Sequence, residues 1–261
     1  MADPGALETH LRAQRQAGRK LLVPYVTGGL GADWTEVVRA YADAGADAIE
    51  VGIPFSDPVM DGPTIQEASE VALDQGANLG AILTALRDVD AGVPLVVMTY
   101  VNLVFHAGYQ RFAAEAVAAG VSGVILPDLP MEEVGEWEPH AAEVGLATVQ
   151  LASPLTPDDR LAQLCRRSQG FVYGVNLLGV TGERTEVADS STVLAKRLKA
   201  ATDLPAIMGF GIATPDHART ATTHADGVVV ASALMRLRLD GAAPEDLGEV
   251  VAGFRAALDE G

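Results

Sequence analysis

One phrase recurs along the chain: a helical pattern ends, a glycine follows, and a short apolar run begins. It reads DAGADAIEVG over Asp43–Gly52, AAGVSGVILPD over Ala118–Asp128, EVGLATVQLAS over Glu143–Ser153 and HADGVVVAS over His224–Ser232. AGVPLVVMTY (Ala91–Tyr100) and TDLPAIMGFG (Thr202–Gly211) are close variants. A glycine after a helix supplies a left-handed cap. The β-branched run after it reads as a strand buried on both faces, as in a parallel sheet.

Extending this reading gives eight strands, centred on Leu22–Thr27, Ala48–Gly52, Leu95–Thr99, Gly123–Leu126, Ala147–Leu151, Phe171–Val175, Ala206–Met208 and Gly227–Val230. The segments between them have helical spacing. In DWTEVVRAYADAG, Trp34, Val37, Val38 and Tyr41 share one face, and Asp33 and Glu36 have capping-box spacing. Tyr109, Phe112, Ala116 and Val117 form a second such face. An extra amphipathic helix, Ala6–Ala17, precedes the first strand. Strict alternation over 261 residues predicts an α/β fold of the (β/α)8 TIM-barrel type, with residues 1–261 as one domain. A doubly wound open sheet is the alternative. Against it, TGGLGAD (Thr27–Asp33) does not match the dinucleotide fingerprint.

A barrel of this kind works at the C-terminal ends of its strands. What stands there, and what does not, narrows the chemistry. None of the three lysines (Lys20, Lys196, Lys199) follows a strand, which argues against Schiff-base and pyridoxal-phosphate chemistry. The five histidines form no short ligand pair, and only His106, placed in the loop after strand 3, is near the working end, so no metal is expected. The single cysteine, Cys165, lies in a helical pattern and reads as a packed thiol. A formal charge of −17 repels phosphate backbones and anionic lipid, so neither nucleic acid nor a membrane is an expected partner. The absence of a signal-like or membrane-spanning apolar run makes the cytoplasm the expected location.

Carboxylates and Tyr173 remain. The stretch IEVGIPFSDPVMDGPTIQ (Ile49–Gln66) runs from an apolar strand into a loop braced by Pro54, Pro58 and Pro63. Glu50 is written into the strand itself, where desolvation raises a carboxyl pKa and suits it to give and take a proton near neutrality. The competing reading is a buried ion pair with an arginine. Asp61 lies in the braced loop and can face the same cavity, whereas Asp57 reads as an exposed or turn acid. Tyr100 and Asn102 follow strand 3, Asp128 follows strand 4, and Tyr173 lies on strand 6. Gly209–Gly211 and the helix opening at ASALM supply backbone N–H groups at the rim where such barrels hold phosphate, and Gly182 in GVTGER can add another.

These motifs resemble the tryptophan synthase α-subunit family. IEVGIPFSDPVMDGPTIQ carries the resemblance, supported in order by VPYVTGG, MTYVNLVF, GVILPDLP, GVTG and GFGI. The resemblance implies a lyase of tryptophan biosynthesis: retro-aldol cleavage of indole-3-glycerol phosphate to indole and glyceraldehyde 3-phosphate, without a cofactor. It implies that Glu50 is the acid–base, Asp61 the anion at the indole nitrogen and Tyr173 an active-site tyrosine. Phe210 would contact the indole, and Gly182, Gly211, Ala231 and Ser232 would hold the phosphate. Thr181 would belong to a closing loop that reaches toward Asp61. It further implies a pyridoxal-phosphate β subunit as partner in an α2β2 complex, facing Asp57, Asn102 and Pro130. A stand-alone lyase, or a weakly active barrel that activates a β partner, are the alternatives. Five positions depart from the family pattern. Met60 replaces a small residue and would crowd or reorient Asp61. Leu30 and Gly31 stand where Asp-Pro is common. Leu177 replaces a polar loop position. Ala231 replaces a glycine, which preserves its N–H if φ is negative.

Overall fold

All eight expected strands form, and they close on themselves. A computed structural model describes residues 5–175, 184–209 and 211–260, with 184–189 described by backbone alone. The strands are β1 (Leu21–Thr27), β2 (Ile49–Gly52), β3 (Leu95–Met98), β4 (Val121–Ile125), β5 (Ala147–Ala152), β6 (Val172–Val175), β7 (Ala206–Gly209) and β8 (Gly227–Val230). Each pairs in parallel with the next, and β8 returns to β1 with Leu21 opposite Gly227. The architecture is a (β/α)8 barrel. Helix α1 (Ala6–Gln16) precedes it. The crossovers carry α2 (Trp34–Asp43), α3 (Pro63–Asp74), α4 (Leu79–Leu86), α5 (Val101–Ala107), α6 (Tyr109–Ala118), α7 (Glu138–Glu143), α8 (Asp158–Arg167), α9 (Arg184–Ala201) and α10 (Pro215–Thr222); α11 (Ser232–Leu239) and α12 (Pro244–Asp259) follow β8. Among the described residues no helix is long and apolar enough to cross a membrane.

The recurring glycines serve two purposes. Gly45, Gly120 and Gly145 take φ of +93°, +79° and +71° and end their helices as left-handed caps, as the phrase predicts. Gly227 in HADGVVVAS does not. It lies within β8, where a Cβ would stand 2.4 Å from the Leu21 carbonyl oxygen. Its missing side chain lets the last strand approach the first, so here the expected cap is a close-approach glycine at the seam of the barrel.

Two apolar layers hold the fold. Outside the strands, Trp34, Val37, Val38 and Tyr41 of α2 pack with residues such as Val51, Val97, Phe112 and Phe254. Inside, Leu21, Val23, Ala48, Val96, Ile125, Val149, Phe171, Ile207 and Val229 fill the barrel, as packed (β/α)8 interiors require. Leu7 and Leu11 of α1 join that inner cluster and are fully buried. A Cβ on Gly123 or Gly170 would come within 2.6 or 2.5 Å of the Leu7 side chain, so both glycines make room for it. Helix α1 therefore stoppers the N-terminal end of the barrel.

Charges are paired at that same end. Asp47, just ahead of β2, accepts from the Leu22 N–H at 2.8 Å, from Arg19 Nε at 3.1 Å and from Arg255 Nη1 at 3.1 Å. Asp226, just ahead of β8, accepts from the Ala206 N–H at 2.9 Å and from Lys199 Nζ at 2.8 Å. Each aspartate satisfies an amide at the start of a neighbouring strand and is paired with cations.

Three local expectations change. Asp33 makes no side-chain cap on α2; its carboxylate pairs with Arg238 of α11, which also donates to the Leu30 carbonyl. A charge-assisted bond to guanidinium outcompetes the cap. Val117 is exposed, because the buried arc of α6 turns through Phe112, Ala113 and Ala116. His106 lies in the last turn of α5 rather than in a loop, because the chain enters that helix directly after Tyr100.

Replacing Leu7 by alanine removes the stopper without touching the opposite rim. Urea denaturation of Leu7→Ala is expected to show a loss of about 2–5 kcal/mol, the range for emptying a fully buried leucine site.

Candidate active site

Inward-facing positions alternate along a strand, so Ala48, just ahead of β2, and Glu50 and Gly52 within it address the barrel interior. Glu50 thereby sits above the inner apolar cluster, 1% exposed. The Tyr173 hydroxyl of β6 donates to its carboxylate, and Oε2 has no hydrogen-bond partner among the described residues. No cation pairs with Glu50 among those residues, so the buried arginine pair considered from sequence does not form there. Burial first, and the neighbouring Asp61 second, push its carboxyl up to about 8, against the lowering effect of the Tyr173 bond.

Asp61 reaches the same interior from the loop between β2 and α3. That loop is tied down along its length. Ile53 N–H donates to the Met98 carbonyl at 2.9 Å, Asp61 N–H to the Pro58 carbonyl at 3.0 Å, and Gln66 Nε2 to the Asp61 carbonyl at 2.9 Å. Pro63 then opens α3 at a position where its missing N–H has no cost. The Asp61 carboxylate accepts from the Tyr100 hydroxyl at 2.9 Å, which opposes the effect of burial; burial dominates and raises Asp61 to about 6. Two carboxyls thus hold protons far above their ordinary range in one water-poor space, the environment of acid–base sites.

Glu50, Asp61 and Tyr173 are therefore brought together. The other expected residues fall around the same rim. Gly211, with φ +59°, follows β7; Ala231 and Ser232 follow β8 and open α11. Ala231 has φ −117°, so the loss of a glycine there costs no strain. Asp57, Asn102 and Pro130 are exposed, Asp57 and Pro130 on the loops after β2 and β4 and Asn102 in the first turn of α5. The Asp57 carboxylate accepts from its neighbour Ser56, at 2.9 Å. Phe210, Thr181, Gly182 and Leu177 lie outside the described residues. Lys20 and Lys199 bond at the opposite end of the barrel, to the Thr222 and Ala225 carbonyls and to Asp226.

Met60, beside Asp61, is 38% exposed, and its N–H donates to the Tyr100 hydroxyl at 3.0 Å. The departure at residues 30–31 is accommodated. Leu30 is buried, and Gly31 takes φ +84°, closed to proline, with its N–H on Gln75 Oε1 at 2.8 Å.

Two more tyrosines complete the site: Tyr25, which the sequence reading does not name, and Tyr100, which it places after strand 3 without a role. Tyr25 of β1 is buried; a Cβ on Gly52 would lie 1.8 Å from its hydroxyl, so Gly52 exists to admit it. Burial, then the charges of Asp61 and Glu50, push the Tyr25 phenol up. Tyr100 binds Asp61 directly. The alternation of Leu21, Val23 and Tyr25 in LLVPYVT, and the place of Tyr100 right after a strand, are the signals that could have found them.

A closed parallel barrel with two proton-holding carboxyls at the ends of its strands is a (β/α)8-barrel enzyme equipped for proton transfer. The comparisons narrow the class. The family described as tryptophan synthase alpha chain matches residues 11–249. The chain is 41% identical to the tryptophan synthase alpha chain of Streptomyces coelicolor, over 98% of this chain and 96% of that one. It is 46% identical to that of Gluconacetobacter diazotrophicus, over 84% of each. A chain of Mycobacterium tuberculosis tryptophan synthase superimposes with a TM-score of 0.90 at 34% identity, covering 98% of this chain and 99% of that one. Tryptophan synthase subunit alpha of Legionella pneumophila gives 0.89 at 31% identity, covering 99% and 100%. The chain belongs to the tryptophan synthase alpha chain family, and it is a carbon–carbon lyase of the kind that cleaves indole-3-glycerol phosphate.

The raised carboxyls have a consequence for stability. Folded Glu50 keeps a proton up to about pH 8, whereas a glutamate in the unfolded chain releases it near 4.5. The folded state therefore binds more protons between these values, and stability falls as pH rises through that window. Glu50→Gln removes the titration. Its melting temperature is expected to match or exceed that of the wild type at pH 5, and the advantage should widen by pH 9 to on the order of a few kcal/mol. A difference that stays flat with pH contradicts the burial of an ionisable Glu50.

Proposed function

We propose that this chain is the cytoplasmic α subunit of a tryptophan synthase, that Glu50 and Asp61 carry out its cleavage of indole-3-glycerol phosphate, and that a β subunit docks on the rim bearing Asp57, Asn102 and Pro130. The observation that carries the residue assignment is the setting of Glu50: buried, with that burial pushing its carboxyl up to about 8, and with Oε2 unpartnered among the described residues.

In this reading the Glu50 carboxyl gives its proton to C3 of the indole ring. Positive charge grows at the ring nitrogen, where the Asp61 carboxylate stabilises it. Glu50, now a carboxylate, takes the proton from the side-chain hydroxyl next to the ring. The carbon–carbon bond breaks, its electron pair restores the aromatic indole, and the hydroxyl carbon becomes the aldehyde of glyceraldehyde 3-phosphate. Glu50 ends protonated, ready for the next turnover. Tyr173 orients it through their hydrogen bond. The phosphate rests on backbone N–H groups at Gly211, Ala231 and Ser232, with Thr181 and Gly182 contributing from the neighbouring loop and Phe210 against the indole. The first N–H groups of α11 have no acceptor within the helix and no side-chain cap, which suits them to an anion. For the partner, the rim offers exposed apolar side chains beside the polar ones: Val59 is 78% and Phe105 66% exposed.

An indole-release assay tests these assignments. Glu50→Gln is expected to lower kcat by about 10²–10⁴-fold, the usual worth of a general acid–base, while still binding glycerol 3-phosphate. Wild-type kcat in that variant would remove Glu50 from the mechanism. The chain alone is expected to release indole slowly and to accelerate strongly when a tryptophan synthase β subunit is added; full turnover without it would make this a stand-alone lyase.

A further inference from the structure

Two carboxyls in one dry space are asked for opposite states: Glu50 must hold its proton and Asp61 must not. Coupled acids of this kind share their protons, and some feature of the surroundings has to decide which one gives way. The groups that face Asp61 are Glu50 from β2, Tyr25 from β1, Tyr173 from β6 and Tyr100 from the end of β3. No cation pairs with Asp61 among the described residues. Tyr100 is the one of the four that hydrogen-bonds to it, at 2.9 Å.

The direction of that bond is enforced. The Tyr100 oxygen also accepts the Met60 N–H at 3.0 Å. A backbone amide can only donate, so it occupies a lone pair of the hydroxyl and leaves the O–H proton for Asp61. A donor aimed at a carboxyl favours the ionised form. The ring is held as well. It stacks on Phe55 with centroids 4.9 Å apart, and the next residue, Val101, donates its N–H to Asp128 Oδ1 at 2.9 Å. Tyr100 thus grips the β2–α3 loop at Phe55, Met60 and Asp61, while Asp128, which faces it from beyond β4, fixes the start of α5.

We propose that Tyr100 is the positioning residue that holds the Asp61 carboxylate in place and in its charged form. The inference rests on the reading of Asp61 as the charge that stabilises the indole nitrogen.

Tyr100→Phe keeps the ring and its stacking on Phe55 and deletes only the hydroxyl. In the free chain, a carbon-13 NMR titration of aspartate carboxyls, with the Asp61 signal assigned by Asp61→Asn, is expected to show the Asp61 midpoint rising by about one pH unit in Tyr100→Phe. The acid limb of kcat/KM for indole release should move up with it. The loss is then about tenfold at pH 5.5 and shrinks toward pH 7.5. An unmoved Asp61 midpoint overturns the proposal. So does a loss that is uniform across pH with the acid limb in place, which is what a purely structural tyrosine would give. The titration needs no substrate: a shifted midpoint in a chain whose wild type releases no indole would sink the functional reading and leave the hold of Tyr100 on Asp61 standing.

Discussion

Everything at the working end of this barrel follows from placing a carboxyl in a strand with no cation to meet it among the described residues. Glu50 occupies the inward position of β2 directly above the apolar filling, with one tyrosine as its hydrogen-bond partner among the described residues. A charge there would be costly, so the group keeps its proton instead. The neighbouring features then have a common purpose. Gly52 is bare because Tyr25 lies over it, the prolines stiffen the following loop, and the loop returns Asp61 to the same space.

The same residue type is handled in opposite ways at the two ends of the barrel. At the N-terminal end Asp47 and Asp226 are surrounded by Arg19, Arg255 and Lys199, and each also receives a strand amide. Those aspartates are satisfied and serve as fasteners. At the C-terminal end the partners of Glu50 and Asp61 among the described residues are phenols rather than cations. Acids neutralised by arginine hold structure; acids left with neutral donors remain able to exchange a proton. Two of the three lysines, Lys20 and Lys199, are committed to the fastening end.

Much of this was legible in the sequence. Every strand was, because a run buried on both faces has a plain apolar signature and each is announced by a helix end. Glu50 was legible for the complementary reason: an acid in such a run breaks the pattern. What the sequence concealed were choices between competing partners. Asp33 has the spacing of a cap and instead meets Arg238, which is 205 residues away. Gly227 looks like Gly45 and works by closeness rather than by φ. Met60 looked like an intruder because its side chain was considered, whereas the site uses its backbone. Tyr25 and Tyr100 were hidden among aromatic residues that equally well fill cores, since nothing local says where a phenol tip will point.

The stopper formed by Leu7 and Leu11 has a last implication. Because those side chains pack into the floor with the inner apolar cluster, the Glu50 carboxyl is backed by filled space on the side of α1. Whatever reaches that carboxyl comes and goes by the C-terminal rim, so the order of events over a turnover is set there. Helix α1, at the end away from the reaction, is what makes the barrel one-ended.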